Sequence, residues 1–72
     1  MTKDELIFEL TATLNNVIDF VENNEEKAKE IYSKSQLNSI GEIWFSTDDL
    51  NEATFEELEE WYKELEEMSF MY

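Results

Sequence analysis

The stretch DELIFELTATLNNVIDFVE, residues 4–22, carries an apolar pattern that predicts an α-helix. Its apolar side chains recur at steps of three and four residues, which brings them onto one helical face. These side chains are Ile7, Leu10, Leu14, Val17, Ile18 and Val21. Thr2 precedes the stretch as a candidate N-cap, and Asp4 and Glu5 lie where the helix dipole favours carboxylates. The segment is therefore expected to supply the main core face.

A second clear helix is predicted over residues 55–68. Thr54 and Glu57 form a capping-box pattern at its start. Its apolar side chains again follow helical spacing. They are Phe55, Leu58, Trp61, Tyr62, Leu65 and Met68. We expect this face, including both Trp61 and Phe55, to pack in the core.

The middle of the chain is less regular. Asn23 and Asn24 predict a break, followed by a helix over residues 25–36 with a thin apolar stripe. Residues 37–46, LNSIGEIWFS, combine β-branched and aromatic side chains with the only glycine. This composition predicts either a short strand or an ordered loop at 40–46. A strand there would have to pair with another chain, because one strand cannot satisfy its own backbone groups.

These patterns predict a mainly α fold, a small bundle of about three helices forming a single domain over residues 1–72. The chain is 42% hydrophobic and contains five Phe, two Trp and three Tyr residues, unlike acidic disordered chains. A domain of this size buries only roughly 60% of its unfolded surface. Association with a partner or with a second copy, as a homodimer, would add to that burial.

The composition excludes several kinds of chemistry. The chain has no His and no Cys, so it lacks the residues of Ser-His-Asp and Cys-His catalysis, Cys/His zinc sites and disulfides. Asp49, Asn51 and Glu60 match three positions of a calcium-binding loop, but Thr54 stands where that loop needs glycine. We therefore expect a protein that is not an enzyme and has no cofactor and no metal site.

The formal charge of -14 disfavours direct binding to nucleic acid. No stretch approaches the roughly 20 apolar residues that cross a bilayer. The N-terminal sequence MTKDELIFEL also differs from a signal peptide, because Glu9 interrupts its apolar run. We expect a cytoplasmic protein with no membrane partner.

The negative charge is concentrated in the second half of the chain. Residues 1–36 contain 8 acidic residues and 4 lysines, net -4, whereas residues 37–72 contain 11 acidic residues and only Lys63, net -10. On the last predicted helix a row of glutamates recurs at steps of four, four and three. Its members are Glu56, Glu60, Glu64 and Glu67. Such spacing places carboxylates roughly 5 to 6 Å apart, comparable with the phosphates of one DNA strand.

This row has two interpretations. Glutamate favours helices and solubility, so a charge run is most often only a solvated face. Like charges four residues apart nevertheless cost a few tenths of a kcal/mol each, and lysines that would relieve the repulsion are nearly absent. A cationic partner would relieve it instead. The candidate partner-binding residues are Glu56, Glu57, Glu60, Glu64, Glu67, Asp48, Asp49 and Trp44.

Several aromatic residues fall outside the predicted core. Phe8 and Phe20 lie off the main stripe of the first helix, and each either packs on a neighbouring segment, which we expect, or forms an exposed contact patch. Trp44 and the tail SFMY, residues 69–72, are further candidates for apolar contacts.

Small size, extreme acidity, helical content and absent catalytic residues together resemble the phage-encoded inhibitors and nucleic-acid mimics, including anti-CRISPR and anti-restriction proteins. The resemblance is compositional and carries no sequence motif. It implies an acidic surface that occupies the DNA or RNA groove of a basic nucleic-acid-binding protein, a nuclease, polymerase or effector complex of the infected cell. The alternative is an adaptor, antitoxin-like or immunity-like protein that binds through exposed aromatic residues.

Overall fold

The computed structural model describes residues 1–71, which form four α-helices and no strand. The helices are α1 (Lys3–Asn23), α2 (Glu25–Ile31), α3 (Lys34–Phe45) and α4 (Phe55–Ser69). A short 3-10 helix, Thr47–Asp49, lies in the turn between α3 and α4. The mainly α prediction is confirmed, with four helices in place of about three.

The core lies chiefly between α1 and α4, which make the most extensive contact of any two helices. Lys3 Nζ donates to the carbonyl oxygen of Asn51, just before α4, at 2.7 Å. At the other end Phe20 of α1 and Met68 of α4 both contact Tyr32. The two helices therefore run in the same direction. Their buried side chains are Leu6, Leu10, Leu14 and Val17 of α1 and Leu58, Leu65 and Met68 of α4.

The ends of both helices follow the predicted capping signals. Thr2 Oγ1 accepts a hydrogen bond from the backbone N–H of Glu5 at 3.2 Å, and Thr54 Oγ1 accepts one from the backbone N–H of Glu57 at 3.1 Å. α1 ends at Asn23, and the side chain of Asn24 donates back to the carbonyl oxygen of Phe20 at 3.2 Å. The predicted break at the two asparagines is thus present.

The helix predicted over residues 25–36 is wrong in its extent, because two helices meet inside it. α2 ends at Ile31, and Tyr32 has an extended backbone with φ -105° and ψ 141°. Ser33 then starts α3 through a capping box. Its hydroxyl accepts from the backbone N–H of Gln36 at 3.1 Å, and Gln36 Oε1 accepts from the backbone N–H of Ser33 at 2.8 Å.

The strand or ordered loop predicted at 40–46 is also wrong, since residues 40–45 belong to α3. Ile40 and Ile43 are buried at helical spacing, whereas Phe45, which alternates with Ile43, is exposed. The strand was predicted because β-branched and aromatic residues favour strands, but here they belong to a helix. Within a helix the backbone groups pair with one another, so the segment needs no second strand.

Two aromatic predictions fail in the packed structure. Phe55 is 37% exposed, although we expected it in the core, and Phe8 is 72% exposed, although we expected it to pack on a neighbour. Phe20 does pack on a neighbour: its ring meets that of Tyr32 edge-on, with centroids 6.2 Å apart. Trp61 and Tyr62 are partly buried against the core.

Tyr32 joins three parts of the fold. Its side chain is buried, and its hydroxyl donates to the carbonyl oxygen of Met68 in the last turn of α4 at 2.6 Å. Its ring also contacts Phe20 on α1. The residue between α2 and α3 is therefore fixed to both long helices.

We expect Tyr32→Phe to lower the free energy of unfolding by about 1–2 kcal/mol, because it keeps the ring but removes a buried hydrogen-bond donor. Chemical denaturation measures this change. Tyr62→Phe is the matched control, with an expected change within about 0.5 kcal/mol for a partly exposed site. Equal effects of the two variants would contradict the role assigned to the Tyr32 hydroxyl.

We expect Ser33→Ala to lower the free energy of unfolding by about 1 kcal/mol, since it removes the N-cap of α3. Ser35→Ala makes the same chemical change two residues later, inside the helix, where alanine is favourable. Thermal unfolding followed by circular dichroism should therefore show a lower midpoint for the first variant only. A lower midpoint for both would argue against a helix start at Ser33.

Candidate interaction surface

The glutamates of α4 lie on the side of the helix that faces away from α1. Leu58 and Leu65 are fully buried, and helix geometry places Glu56, Glu60 and Glu67 opposite them. All three glutamates are exposed. From Glu56 to Glu67 the row extends about 17 Å along the helix axis. A buried face thus fixes the direction in which these carboxylates project.

The predicted row of four is not a single line in the structure. Glu64 is partly buried and lies between Trp61 and Met68, which stand three residues before it and four residues after it. Glu57 is exposed, but its carboxylate accepts from the backbone N–H of Thr54 at 3.4 Å as part of the capping box, and from the Thr54 hydroxyl at 3.1 Å. These two residues therefore flank the row, and Glu57 also has a structural role.

Lys63 partly neutralises the acidic face of α4, the exposed side of the helix that carries Glu56, Glu60 and Glu67. It is exposed, three residues after Glu60 and four before Glu67, and so projects between them. The predicted row of glutamates did not include this lysine. The step of three from Glu60 was the signal that would have placed it.

The structure sets Asp48, Asp49 and Trp44 apart from the glutamates of α4. Asp48 and Asp49 are exposed on the 3-10 helix, and Trp44 is 51% exposed near the end of α3. Trp44, Phe45, Thr47 and Asp48 line one concavity. The Thr47 hydroxyl donates to the carbonyl oxygen of Trp44 at 2.7 Å and so ties this turn to α3. Of the candidate residues, Trp44 and Asp48 are brought together.

Exposed aromatic side chains form a second kind of surface, which sequence reasoning only partly found. Phe45 is 85% exposed and Phe70 is 79% exposed. Phe70 shares a concavity with Lys63, Glu66 and Glu67, so it lies beside the acidic face of α4. Tyr72, the last residue of the predicted SFMY contact, lies outside the described residues.

The acidic side chains are spread along the surface. Within residues 1–71, no group of three or more Asp and Glu side chains is placed to hold a metal ion. None of the helices in the described part of the chain has the length and apolar character that crossing a bilayer requires. What the acidic face can do chemically is attract cations over an extended area.

No protein-family model, no curated protein and no solved structure matches this chain. The resemblance to phage-encoded inhibitors therefore stays compositional, and function is inferred from the surfaces of this chain alone.

Repulsion within the acidic face predicts a stabilising substitution. Glu64 has like charges at Glu60 and Glu67 and no lysine at either helical step. We expect Glu64→Gln to raise the free energy of unfolding by a few tenths of a kcal/mol at low salt, with less gain at high salt.

Glu59→Gln is the matched control on the same helix, because Glu59 has Lys63 four residues later and should give no gain. Chemical denaturation at two salt concentrations makes the comparison. A gain from Glu59→Gln equal to that from Glu64→Gln would contradict local repulsion as the cause.

Proposed function

We propose that this protein is a non-catalytic binding protein that inhibits a nucleic-acid-handling enzyme or effector complex by placing the acidic face of α4 in its basic groove. The observation that carries the proposal is the row Glu56, Glu60 and Glu67, exposed on a helix whose opposite face is buried against α1. A rigid row of carboxylates presents a regular series of negative charges, as a nucleic acid strand does.

Electrostatics supports binding to a basic surface. Residues 37–72 carry a net charge of -10. A field of one sign steers oppositely charged partners and speeds their association. A cationic partner would also relieve the repulsion between neighbouring glutamates in the free protein. The loss of this repulsion on binding would add to the affinity.

The exposed aromatic residues favour a second candidate function, that of an adaptor or antitoxin-like protein. Phe8, Trp44, Phe45 and Phe70 offer apolar area that a partner would bury. Aromatic anchors in desolvated pockets often supply most of the affinity of an interface. Binding of this kind depends little on salt, whereas binding through the acidic face depends strongly on it.

The variant Glu56→Lys/Glu60→Lys/Glu67→Lys tests the proposed inhibitor function. The assay measures how well the protein displaces a fluorescently labelled DNA duplex from purified nucleases, polymerases and effector complexes. We expect the wild-type protein to displace the duplex from its target, less well at higher salt, and the variant to do so more than about tenfold less well.

The variant Asp4→Lys/Glu9→Lys/Asp19→Lys is the control, since it makes the same change in net charge on α1. It should lose less, because only the long-range field changes. Equal losses would show that net charge and not the α4 face matters. Full activity of the α4 variant, with losses for Phe8→Ala, Phe45→Ala and Phe70→Ala instead, would contradict the role of the acidic face and assign binding to the exposed aromatic residues, as in the second candidate function.

A further inference from the structure

An apolar groove of about 320 Å³ lies between α1 and α3, on a different part of the surface from the acidic row of α4. Ile18 and Val21 line it from α1. Leu37, Ile40 and Trp44 line it from α3, with Gly41 among them. Most of the lining is aliphatic. Among the described residues that line the groove, Trp44 is the one aromatic side chain, and it is half exposed.

Gly41 lies in the wall of the groove, where the space above the helix is open. The residue lies inside α3, where glycine is about 0.5–1 kcal/mol less favourable than alanine. Its backbone does not require glycine, since its φ is not positive, and a Cβ atom built there meets nothing within 4 Å. Packing within the fold thus does not require a glycine here, and open space lies over Gly41 beside Ile40 and Trp44.

Acidic residues lie at both ends of the groove. Glu22 lines the groove and also the neighbouring concavity at the junction of α1 and α2, where Glu25, Glu26 and Glu30 outnumber the one cation among the described lining residues, Lys27. At the other end, Trp44 also lines the concavity that contains Asp48. The order along this surface is thus acidic, apolar, acidic.

We propose that this groove binds a segment of another protein in which an apolar side chain stands between lysine or arginine residues. The apolar side chain fills the space over Gly41 and contacts Ile40 and Trp44. The flanking cations then meet Glu22 on one side and Asp48 on the other, and a cation also packs well on an indole ring. This inference goes beyond the α4 surface and does not rest on the function proposed above.

Charge complementarity favours this occupant over others. A second copy of the chain would bring acidic ends against acidic ends, and each copy carries a formal charge of -14. Nucleic acid and anionic lipid are repelled by the same charge. A basic segment is attracted by it, while the apolar groove selects one side chain within that segment.

The experiment titrates synthetic peptides into the isotopically labelled full-length protein and follows the backbone amide of Gly41 and the indole N–H of Trp44 by NMR. The probe peptide carries one leucine between pairs of lysines. We expect these signals to shift, and a peptide with serine for leucine to bind about tenfold or more weakly, because the apolar contact is lost. A peptide with glutamates for lysines should not bind.

Two pairs of protein variants locate the site. Gly41→Leu fills the groove and should weaken the leucine peptide at least about tenfold, whereas Gly41→Ala leaves most of the space and keeps binding. Glu22→Lys should weaken binding severalfold more than Asp19→Lys, which makes the same charge change on the outer side of α1. Circular dichroism confirms that each variant remains helical.

Equal affinity for the leucine and serine peptides would overturn the proposal, as would shifts confined to α4. A concentration-dependent dimer that Gly41→Leu abolishes would assign the groove to a second copy and overturn it as well. None of these results bears on displacement of DNA by the α4 face, so the two proposals fail separately.

Discussion

The packing of α1 against α4 is the contact on which the rest of the structure depends. A chain of 72 residues has little apolar surface to bury, and most of it lies on these two helices. Lys3 fastens one end of the pair to the segment before α4, and Tyr32 fastens the other end to its last turn. The shorter helices α2 and α3 pack against other sides of α1.

This contact also determines what the surface presents. Because Leu58 and Leu65 must face α1, the glutamates of α4 must face solvent, and helix geometry spaces them regularly. Repulsion among them is tolerated because the buried face is fully apolar and the helix start is capped by Thr54. Burial on one face and charge on the other are thus two results of one amphipathic sequence.

Charge and apolar contact have separate places on this protein. In the proposed functions the acidic face of α4 attracts partners over long distance and with little selectivity, whereas Trp44 and the groove over Gly41 act only in direct contact. Interfaces in general use both, because charge alone gives weak and salt-sensitive complexes. Here α4 carries more acidic residues than any other helix, and the α1–α3 side carries the apolar groove.

The amino-acid sequence by itself determined the two long helices, the capping box at Thr54, the break at Asn24 and the concentration of acidic residues near the C-terminus. These features depend on contacts within a few residues, so local spacing is enough to find them. It also grouped Glu56, Glu60 and Glu67 on one side of the last helix.

Only the tertiary structure decided the rest. Residues 40–46 have strand-like composition, but burial of Ile40 and Ile43 against other helices makes their segment α3. Phe55 and Phe8 are apolar yet exposed, and the role of Tyr32 depends on Met68, 36 residues away. The groove over Gly41 exists only because α1 and α3 meet there. Local spacing cannot report such features, because they arise from residues that are distant in the chain.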